Sequence, residues 1–180
     1  MHFVCGAFSY IAGAPDVTKE RPRVLVVGIG NPDRGDDGFS AAVIARLRGH
    51  TPDGVHLLAR KADPLALIDD WDGYGAVILV DAAMLVNELG RVHRIDLTEN
   101  PLPLGWGPPS SHAFGLAETV ELARNLGRLP RNLVLYLVEG QNFETGAPLS
   151  PAVATAINQV AERILADLTP HCGRTDSTEV

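Results

Sequence analysis

A short apolar run, followed by a turn and two adjacent acids, constrains the fold of this chain more than any other stretch. Residues 24–27 (Val-Leu-Val-Val) are typical of a buried strand. Residues 28–32 are rich in Gly and Pro and indicate a tight turn. Asp36 and Asp37 then precede apolar residues at helical spacing, which predicts a helix over 37–48. Because ligands of α/β proteins bind at the carboxyl ends of strands, we expect this turn to line a functional site.

The rest of the chain alternates between apolar runs and helical patterns. Strands are predicted at 24–27, 55–58, 76–80, 91–97 and 133–138, and helices at 37–48, 63–71, 113–126 and 150–168. The fourth of these strands alternates polar and apolar residues and is predicted at an edge, while the Pro- and Gly-rich residues 100–111 form a loop. This order predicts an α/β fold, a three-layer α/β/α sandwich with a mainly parallel, mixed central sheet of about five strands.

The length of 180 residues suits one domain. We expect a single α/β domain over 21–168, with flexible tails at 1–20 and 169–180. Cys5 and Cys172 lie near opposite ends and form no CxxC motif, which favours a reducing, cytoplasmic setting. No stretch approaches the ~20 apolar residues of a membrane span. We expect no membrane contact and a monomer.

The charge of the chain bears on its partners. The formal net charge is −7 and the pI about 5.3. Nucleic-acid binding depends on clustered Lys and Arg, so we expect no nucleic-acid partner.

The Gly28-Ile-Gly30 turn also begins like a dinucleotide-binding motif. The position of its third glycine is occupied by Asp33. The acids that follow would repel a pyrophosphate at the start of the helix. A nucleotide site is therefore disfavoured.

Two carboxylates and one histidine are the candidate functional groups. In the predicted sandwich Asp37, Asp81 at the end of the 76–80 strand, and the loop that carries His112 meet at one edge of the sheet. Each has a structural alternative, because acids cap helices or bind loop amides and a histidine before a helix often caps it. Two carboxylates and an imidazole suit Zn, Ni, Fe or Mn and leave a coordination position free.

A Ser-His-Asp arrangement with Ser110 or Ser111 is the alternative use of the same residues. The chain contains no GxSxG elbow, and a serine next to its own base in sequence has poor geometry for attack. The metal-type interpretation is therefore favoured.

Together these motifs resemble the NiFe-hydrogenase maturation proteases. The resemblance spans residues 23–168 and is carried by Gly28-Ile-Gly-Asn-Pro-Asp-Arg-Gly-Asp-Asp-Gly38, Val80-Asp81-Ala82, Ser111-His112, Val138-Glu-Gly140 and Leu149-Ser-Pro151. It implies an endopeptidase that removes the C-terminal extension of a NiFe-hydrogenase large-subunit precursor after nickel insertion. It also implies that the nickel carried by this precursor is the recognition element, with no organic cofactor.

The resemblance further implies roles for individual residues. The metal-contacting residues of the family fall on Asp37, Asp81 and His112. The attacking water is either polarised by the nickel or activated by Asp37 or Asp36 as a base. The sequence does not choose between these routes.

The chain departs from the family pattern at three places. Asp37 stands where Glu is frequent and is one methylene shorter, which changes its reach to the metal, and Ser40 stands where Gly is expected. Arg60-Lys-Ala-Asp63 replaces a frequent Asp-Gly-Gly-Thr, and this last change leaves open which hydrogenase precursor is accepted.

Two other functions fit parts of the sequence. A non-catalytic nickel carrier or scaffold of hydrogenase maturation would use the same three side chains. Peptidyl-tRNA hydrolases share the Gly-x-Gly-Asn-Pro turn, but they continue with Thr-Arg-His-Asn, where this chain is acidic. The negative charge also disfavours a tRNA substrate.

Overall fold

The computed structural model describes residues 23–61, 64–84, 86–102 and 112–172. Within these ranges the strands are β1 (Val24–Ile29), β2 (Val55–Arg60), β3 (Ala76–Met84), β4 (Val92–Asp96) and β5 (Asn132–Gly140). The helices are α1 (Phe39–Leu47), α2 (Pro64–Asp70), α3 (His112–Asn125) and α4 (Pro151–Cys172), and a single 3₁₀ turn (Gly35–Gly38) precedes α1.

The strands form one sheet in the order β2-β1-β3-β5-β4. β1 pairs in parallel with β2 and β3, β3 pairs in parallel with β5, and β4 is antiparallel to β5 at the edge. The predicted mixed, mainly parallel sheet and its exposed 91–97 edge strand are confirmed. The chain moves outward from β1 to β2 and then returns past it to β3. The switch in strand order therefore lies between β1 and β3, where α/β proteins place their ligands.

Helices cover both faces of the sheet, as the sandwich prediction requires. One buried cluster joins a face of the sheet to α1 and α4, and the other joins the opposite face to α2 and α3. β1 and β3 are almost entirely buried, because a parallel sheet covered on both faces has no solvent side. This explains why their sequences read as continuous apolar runs rather than as alternating ones.

The alternation of side chains along β3 decides which layer receives its acid. Ile78 and Val80 belong to the cluster with α1 and α4, whereas Leu79 and Ala83 belong to the cluster with α2 and α3. Since neighbouring residues of a strand point to opposite faces, Asp81 lies on the α2/α3 face.

Several boundaries differ from the predictions. The first helix begins at Phe39 and not at 37, because Asp36 and Asp37 lie in the 3₁₀ turn before it. β3 continues past Asp81 to Met84, because β5 keeps pairing with it there. α4 runs on to Cys172 beyond the predicted end at 168.

The predicted tails at 1–20 and at 173–180 and most of the predicted loop (103–111) lie outside the described residues. Among the described helices, none has both the length and the apolar character that crossing a bilayer would require.

Gly28 allows α1 to pack closely on β1, and its replacement tests this contact. A Cβ at Gly28 would lie 2.8 Å from Ile44 Cγ1 and 3.0 Å from the Ser40 carbonyl oxygen. We expect Gly28→Ala to lower the free energy of unfolding by about 1–3 kcal/mol in urea titrations, because this site has no room for a methyl group.

Ala59→Ser is the matched control, since Ala59 is the register partner of Gly28 on β2 and is exposed. It should change the free energy of unfolding by less than about 0.5 kcal/mol. Equal stability of Gly28→Ala and wild type would contradict the close packing.

Candidate active site

The turn after β1 has a backbone that only glycine fits. Gly30 has φ +145°, and a Cβ there would lie 2.3 Å from the Asp37 carbonyl oxygen. The Gly30 N–H donates to the Arg60 carbonyl oxygen at 3.0 Å, which ties the turn to the end of β2. The turn thus folds back until the backbone of Asp37 touches Gly30.

Asp36 is completely buried, and four donors surround its carboxylate. Oδ2 accepts hydrogen bonds from the Gln141 N–H, the Asn142 N–H and the Ser150 hydroxyl at 2.9, 3.1 and 2.8 Å. Oδ1 accepts the Ser150 N–H at 2.6 Å. Burial alone would raise the pKa of Asp36, but these hydrogen bonds outweigh it and lower the pKa. Asp36 therefore stays ionised and holds two loops together.

Backbone contacts reinforce this junction between the β1–α1 turn and the loop after β5. The Gly35 N–H donates to the Ala147 carbonyl oxygen at 3.1 Å, and the Asp36 N–H donates to that of Asn142 at 2.7 Å. A Cβ at Gly140 would lie 2.7 Å from the Cβ of Asp36. The turn that carries Asp37 is therefore fixed from both sides.

Asp37 is buried as well, but its carboxylate is only half used. It is 1% exposed, and its Oδ2 accepts the Asn31 N–H at 3.0 Å. Its Oδ1 has no hydrogen-bond partner among the described residues. Asp37 does not cap the helix, because α1 has Gly38 at its N-cap and no side-chain capping bond. The capping alternative for this acid is therefore wrong.

Asp81 repeats this half-satisfied pattern on β3. It is 1% exposed, its Oδ1 accepts the Ala82 N–H at 2.8 Å, and its Oδ2 lacks a partner within the described part of the chain. Burial raises the pKa of Asp81 well above its ordinary value of 3.8. The Ala82 hydrogen bond opposes this shift, and the nearby charge of Asp37 adds to it.

The sheet brings Asp37 and Asp81 together at its switch point. The β1–β3 ladder ends at the pair Gly28 and Val80, so Asp81 is the first β3 residue without a partner on the β1 side. The 3₁₀ turn with Asp37 packs against β3. Asp37 and Asp81 therefore lie near each other at this edge, and the predicted convergence of both acids with His112 stays a prediction.

Each unpartnered oxygen in a buried site lowers the stability of the folded protein unless a proton or a cation binds to it. A buried carboxylate oxygen without a hydrogen bond loses the hydration it has in water. Two such oxygens on neighbouring acids suit a divalent cation, since carboxylates are hard donors.

The third predicted ligand, His112, is the first residue of α3, and its side chain lies outside the described part of the structure. Ser110 and Ser111 also lie outside it. Among the described side chains, no group of three or more His, Cys, Asp or Glu is arranged to hold a metal ion. The three-ligand site therefore stays a prediction.

Glu139 on β5 is a buried, hydrogen-bonded acid to which the sequence analysis assigned no role. It is 2% exposed and accepts hydrogen bonds from the N–H groups of Val86, Asn87 and Glu88 at 2.8, 2.6 and 3.1 Å. His93 Nε2 lies 2.7 Å from its Oε1. The available signal was the one used for Asp81, an acid near the carboxyl end of a buried strand.

Fold and site together define the class: a doubly wound α/β protein with two buried acids at the switch point between β1 and β3. A sequence model named HycI, described as hydrogenase maturation protease, matches residues 42–167.

Individual relatives agree with this match. The chain is 33% identical over 138 residues to the hydrogenase expression/formation protein HupD of Bradyrhizobium diazoefficiens, covering 75% of this chain and 72% of that protein. It is 29% identical over 150 residues to HupD of Thiocapsa roseopersicina, covering 82% and 68%.

Among solved structures, it is similar to the hydrogenase maturating endopeptidase HybD from E. coli. The TM-score is 0.71, the sequence identity is 26%, and the match covers 83% of this chain and 94% of that one.

The chain belongs to the hydrogenase maturation protease family. It is an endopeptidase, a hydrolase of peptide bonds, as the resemblance in the sequence implied. The family assignment favours this function over the non-catalytic nickel carrier and over peptidyl-tRNA hydrolase.

In the metal-free protein, removing the charge of Asp36 and removing that of Asp81 should change the free energy of unfolding in opposite directions. Asp36→Asn replaces an acceptor-only carboxylate among four donors, so we expect it to lower the free energy of unfolding at neutral pH by about 2 kcal/mol. Asp81→Asn removes a desolvated charge, so we expect a gain on the order of 1 kcal/mol. Urea unfolding at neutral pH measures both changes.

The same pair gives opposite pH signatures. Because the pKa of Asp36 is lowered, its contribution to the free energy of unfolding is fully present above the ordinary pKa of 3.8. This contribution is lost as the pH falls through the folded-state pKa. Because the pKa of Asp81 is raised, this residue does not destabilise the fold below pH 3.8. Its destabilising effect grows as the pH rises towards the folded-state pKa. For each variant, the difference from wild type in the free energy of unfolding should therefore be smaller at about pH 3 than at neutral pH. Differences in the free energy of unfolding that keep the same size at both pH values would contradict the environments described for Asp36 and Asp81.

Proposed function

We propose that this endopeptidase removes the C-terminal extension of a NiFe-hydrogenase large-subunit precursor after nickel insertion, and that Asp37 and Asp81 contact the nickel held by that precursor. One observation carries the proposal: two neighbouring buried carboxylates each keep one oxygen without a partner in the described structure. A cation brought by the substrate would satisfy both oxygens at once.

The chemistry of the donors favours a metal that stays with the substrate. Nickel held by thiolates is bound by softer donors than carboxylates, so Asp37 and Asp81 would not strip it from the precursor. They could complete its coordination sphere and so distinguish a loaded precursor from an empty one. Recognition and positioning of the scissile bond would then use the same contact.

The placement of α3 supports His112 as the third contact. α3 packs on the same face of the sheet to which Asp81 belongs, and His112 is its first residue. α3 leads back to the start of β5, so its own start lies towards the carboxyl edge that holds the two acids.

The surroundings of the two neighbouring acids separate their proposed roles. Three donors bind Oδ2 of Asp36 and one binds Oδ1, so both oxygens of this carboxylate are engaged within the protein. This supports Asp36 as a positioning residue rather than a base. Asp37, with one oxygen unpartnered among the described residues, is the better candidate to accept a proton from the attacking water, beside polarisation of that water by the nickel.

We place the reaction in the cytoplasm, with the enzyme acting as a monomer on the precursor. The absence of a disulfide motif in the sequence supports the reducing setting.

Shortening of the nickel-loaded precursor, followed by mass spectrometry, tests the proposal. We expect wild type to shorten the precursor, and Asp37→Asn and Asp81→Asn to reduce kcat/KM by about 100-fold or more, because each removes a charge from the metal contact. A nickel-free precursor should stay uncut.

Asp33→Asn is the matched control, because Asp33 lies in the same turn but its side chain is 73% exposed. It should process the precursor like wild type. Equal shortening by the Asp37 and Asp81 variants, or of nickel-free precursor, would refute the proposed recognition.

A further inference from the structure

Glu139 is a buried acid that the proposed reaction does not use, and it fixes the segment that follows β3. Its Oε2 accepts the N–H groups of Val86, Asn87 and Glu88, and its Oε1 accepts the side-chain amide of Asn87 at 3.2 Å. Burial alone would raise the pKa of Glu139, but these hydrogen bonds and that of His93 lower it to about 2. Because an ionised carboxylate can only accept, His93 Nε2 carries the proton in its 2.7 Å contact with Oε1.

The rest of this face of β5 is apolar, so an acid at position 139 is not needed to fill space. Leu133, Leu135 and Leu137 precede it at alternate positions, and all three are buried on the α2/α3 side of the sheet. A leucine at position 139 could not accept the three N–H groups of residues 86–88. Since a buried ionised group commonly adds no more stability than an apolar one, the use of Glu139 lies in fixing the backbone of this segment.

The segment held by Glu139 continues the strand that carries Asp81. Asp81 pairs with Leu137 and Ala83 pairs with Glu139, so Asp81 and Glu139 are diagonal neighbours on one face of the sheet. Strand spacing and rise put such neighbours on the order of 8 Å apart. Fixing residues 86–88 to Glu139 keeps β3 paired with β5 beyond Asp81, so the strand does not leave the sheet at the acid itself.

The residues directly after Glu139 hold the turn that carries Asp37. A Cβ at Gly140 would lie 2.7 Å from the Cβ of Asp36, and the N–H groups of residues 141 and 142 donate to the Asp36 carboxylate. The end of β5 therefore contacts both segments that carry the unpartnered acids, one through the side chain of Glu139 and the other through its backbone.

We propose that Glu139 is a positioning residue of the proteolytic reaction, which sets the separation between Asp37 and Asp81 by fixing the end of β3 to the strand end that holds Asp36. This inference rests on the proposed function, because the separation matters only if both acids contact one metal ion. Such a contact requires both carboxylates within coordination distance of the ion, so a small shift of either loses it. Glu139 itself touches neither the metal nor the scissile bond.

Two variants of Glu139 separate placement from charge. Glu139→Gln removes the charge and turns one acceptor into a donor that faces N–H groups, which releases residues 86–88. Glu139→Asp keeps a carboxylate that only accepts, but it is one methylene shorter and no longer reaches the same N–H groups.

Asp167→Asn is the matched control at the opposite edge of the sheet. Asp167 accepts the Tyr136 hydroxyl at 2.8 Å and the Arg94 Nε–H at 2.9 Å, so its replacement by Asn also disturbs a hydrogen-bonded acid. It lines the same cavity as Val24 and Ala76, the first residues of β1 and β3, and so lies at the amino edge.

The experiment measures the preference for nickel, which is the ratio of the dissociation constants of nickel-free and nickel-loaded precursor on immobilised enzyme. Steady-state cleavage of the loaded precursor gives kcat, and urea unfolding establishes that each variant is folded under the assay conditions. Loss of stability alone changes the amount of active enzyme but not this ratio. We expect Glu139→Gln and Glu139→Asp to lower both the ratio and kcat by about tenfold, and Asp167→Asn to leave both unchanged.

The results for wild type and for the variants separate this inference from the proposed function. If wild type prefers the loaded precursor and the folded Glu139 variants keep that preference and kcat, the positioning role is overturned and the proposed function stands. An equal loss in Asp167→Asn, or full rescue by Glu139→Asp, would also overturn it, because general loosening or charge alone would then explain the effect. If wild type shows no preference for nickel, the proposed recognition is refuted and the positioning role with it. Should Glu139→Gln not fold, Glu139→Asp alone decides.

Discussion

The carboxylate of Asp36 holds the functional end of this molecule together. Its four hydrogen bonds join the turn after β1 to the loop between β5 and α4, two segments more than 100 residues apart in sequence. A charge buried in this way is stable because both of its oxygens accept hydrogen bonds. With Asp36 so engaged, the next residue, Asp37, is presented at the switch point of the sheet. One acid of the pair thus builds the turn and leaves the other available for a ligand.

Asp37 and Asp81 are the opposite case, because the fold buries them without satisfying them. Their unpartnered oxygens and their mutual repulsion oppose folding in the absence of a ligand. Such sites commonly trade stability for function. Under the proposed function, these hard oxygen donors would contact a metal held by softer ligands without removing it. The family to which the chain belongs, the hydrogenase maturation proteases, gives this arrangement a substrate class.

Periodicity and turn chemistry predicted the layers, the mixed sheet and the meeting of Asp37 with Asp81, because these follow from local pattern and parallel topology. They did not predict how each acid is used. Whether Asp36 or Asp37 is satisfied depends on the N–H groups of residues 141, 142 and 150, which are remote in sequence. The position of Asp81 inside β3 depends on continued pairing with β5. The role of Glu139 likewise depends on the path of the β3–β4 segment, which no local pattern encodes.

The most direct measurement is nickel K-edge X-ray absorption of the nickel-loaded precursor, with and without a molar equivalent of this protein. We expect the protein to add oxygen ligands to the nickel while its sulfur ligands remain. The Asp37→Asn/Asp81→Asn double variant should leave the spectrum of the precursor unchanged. An unchanged nickel environment with wild type, or the same change with the double variant, would contradict the claim that these two carboxylates contact the metal of the substrate.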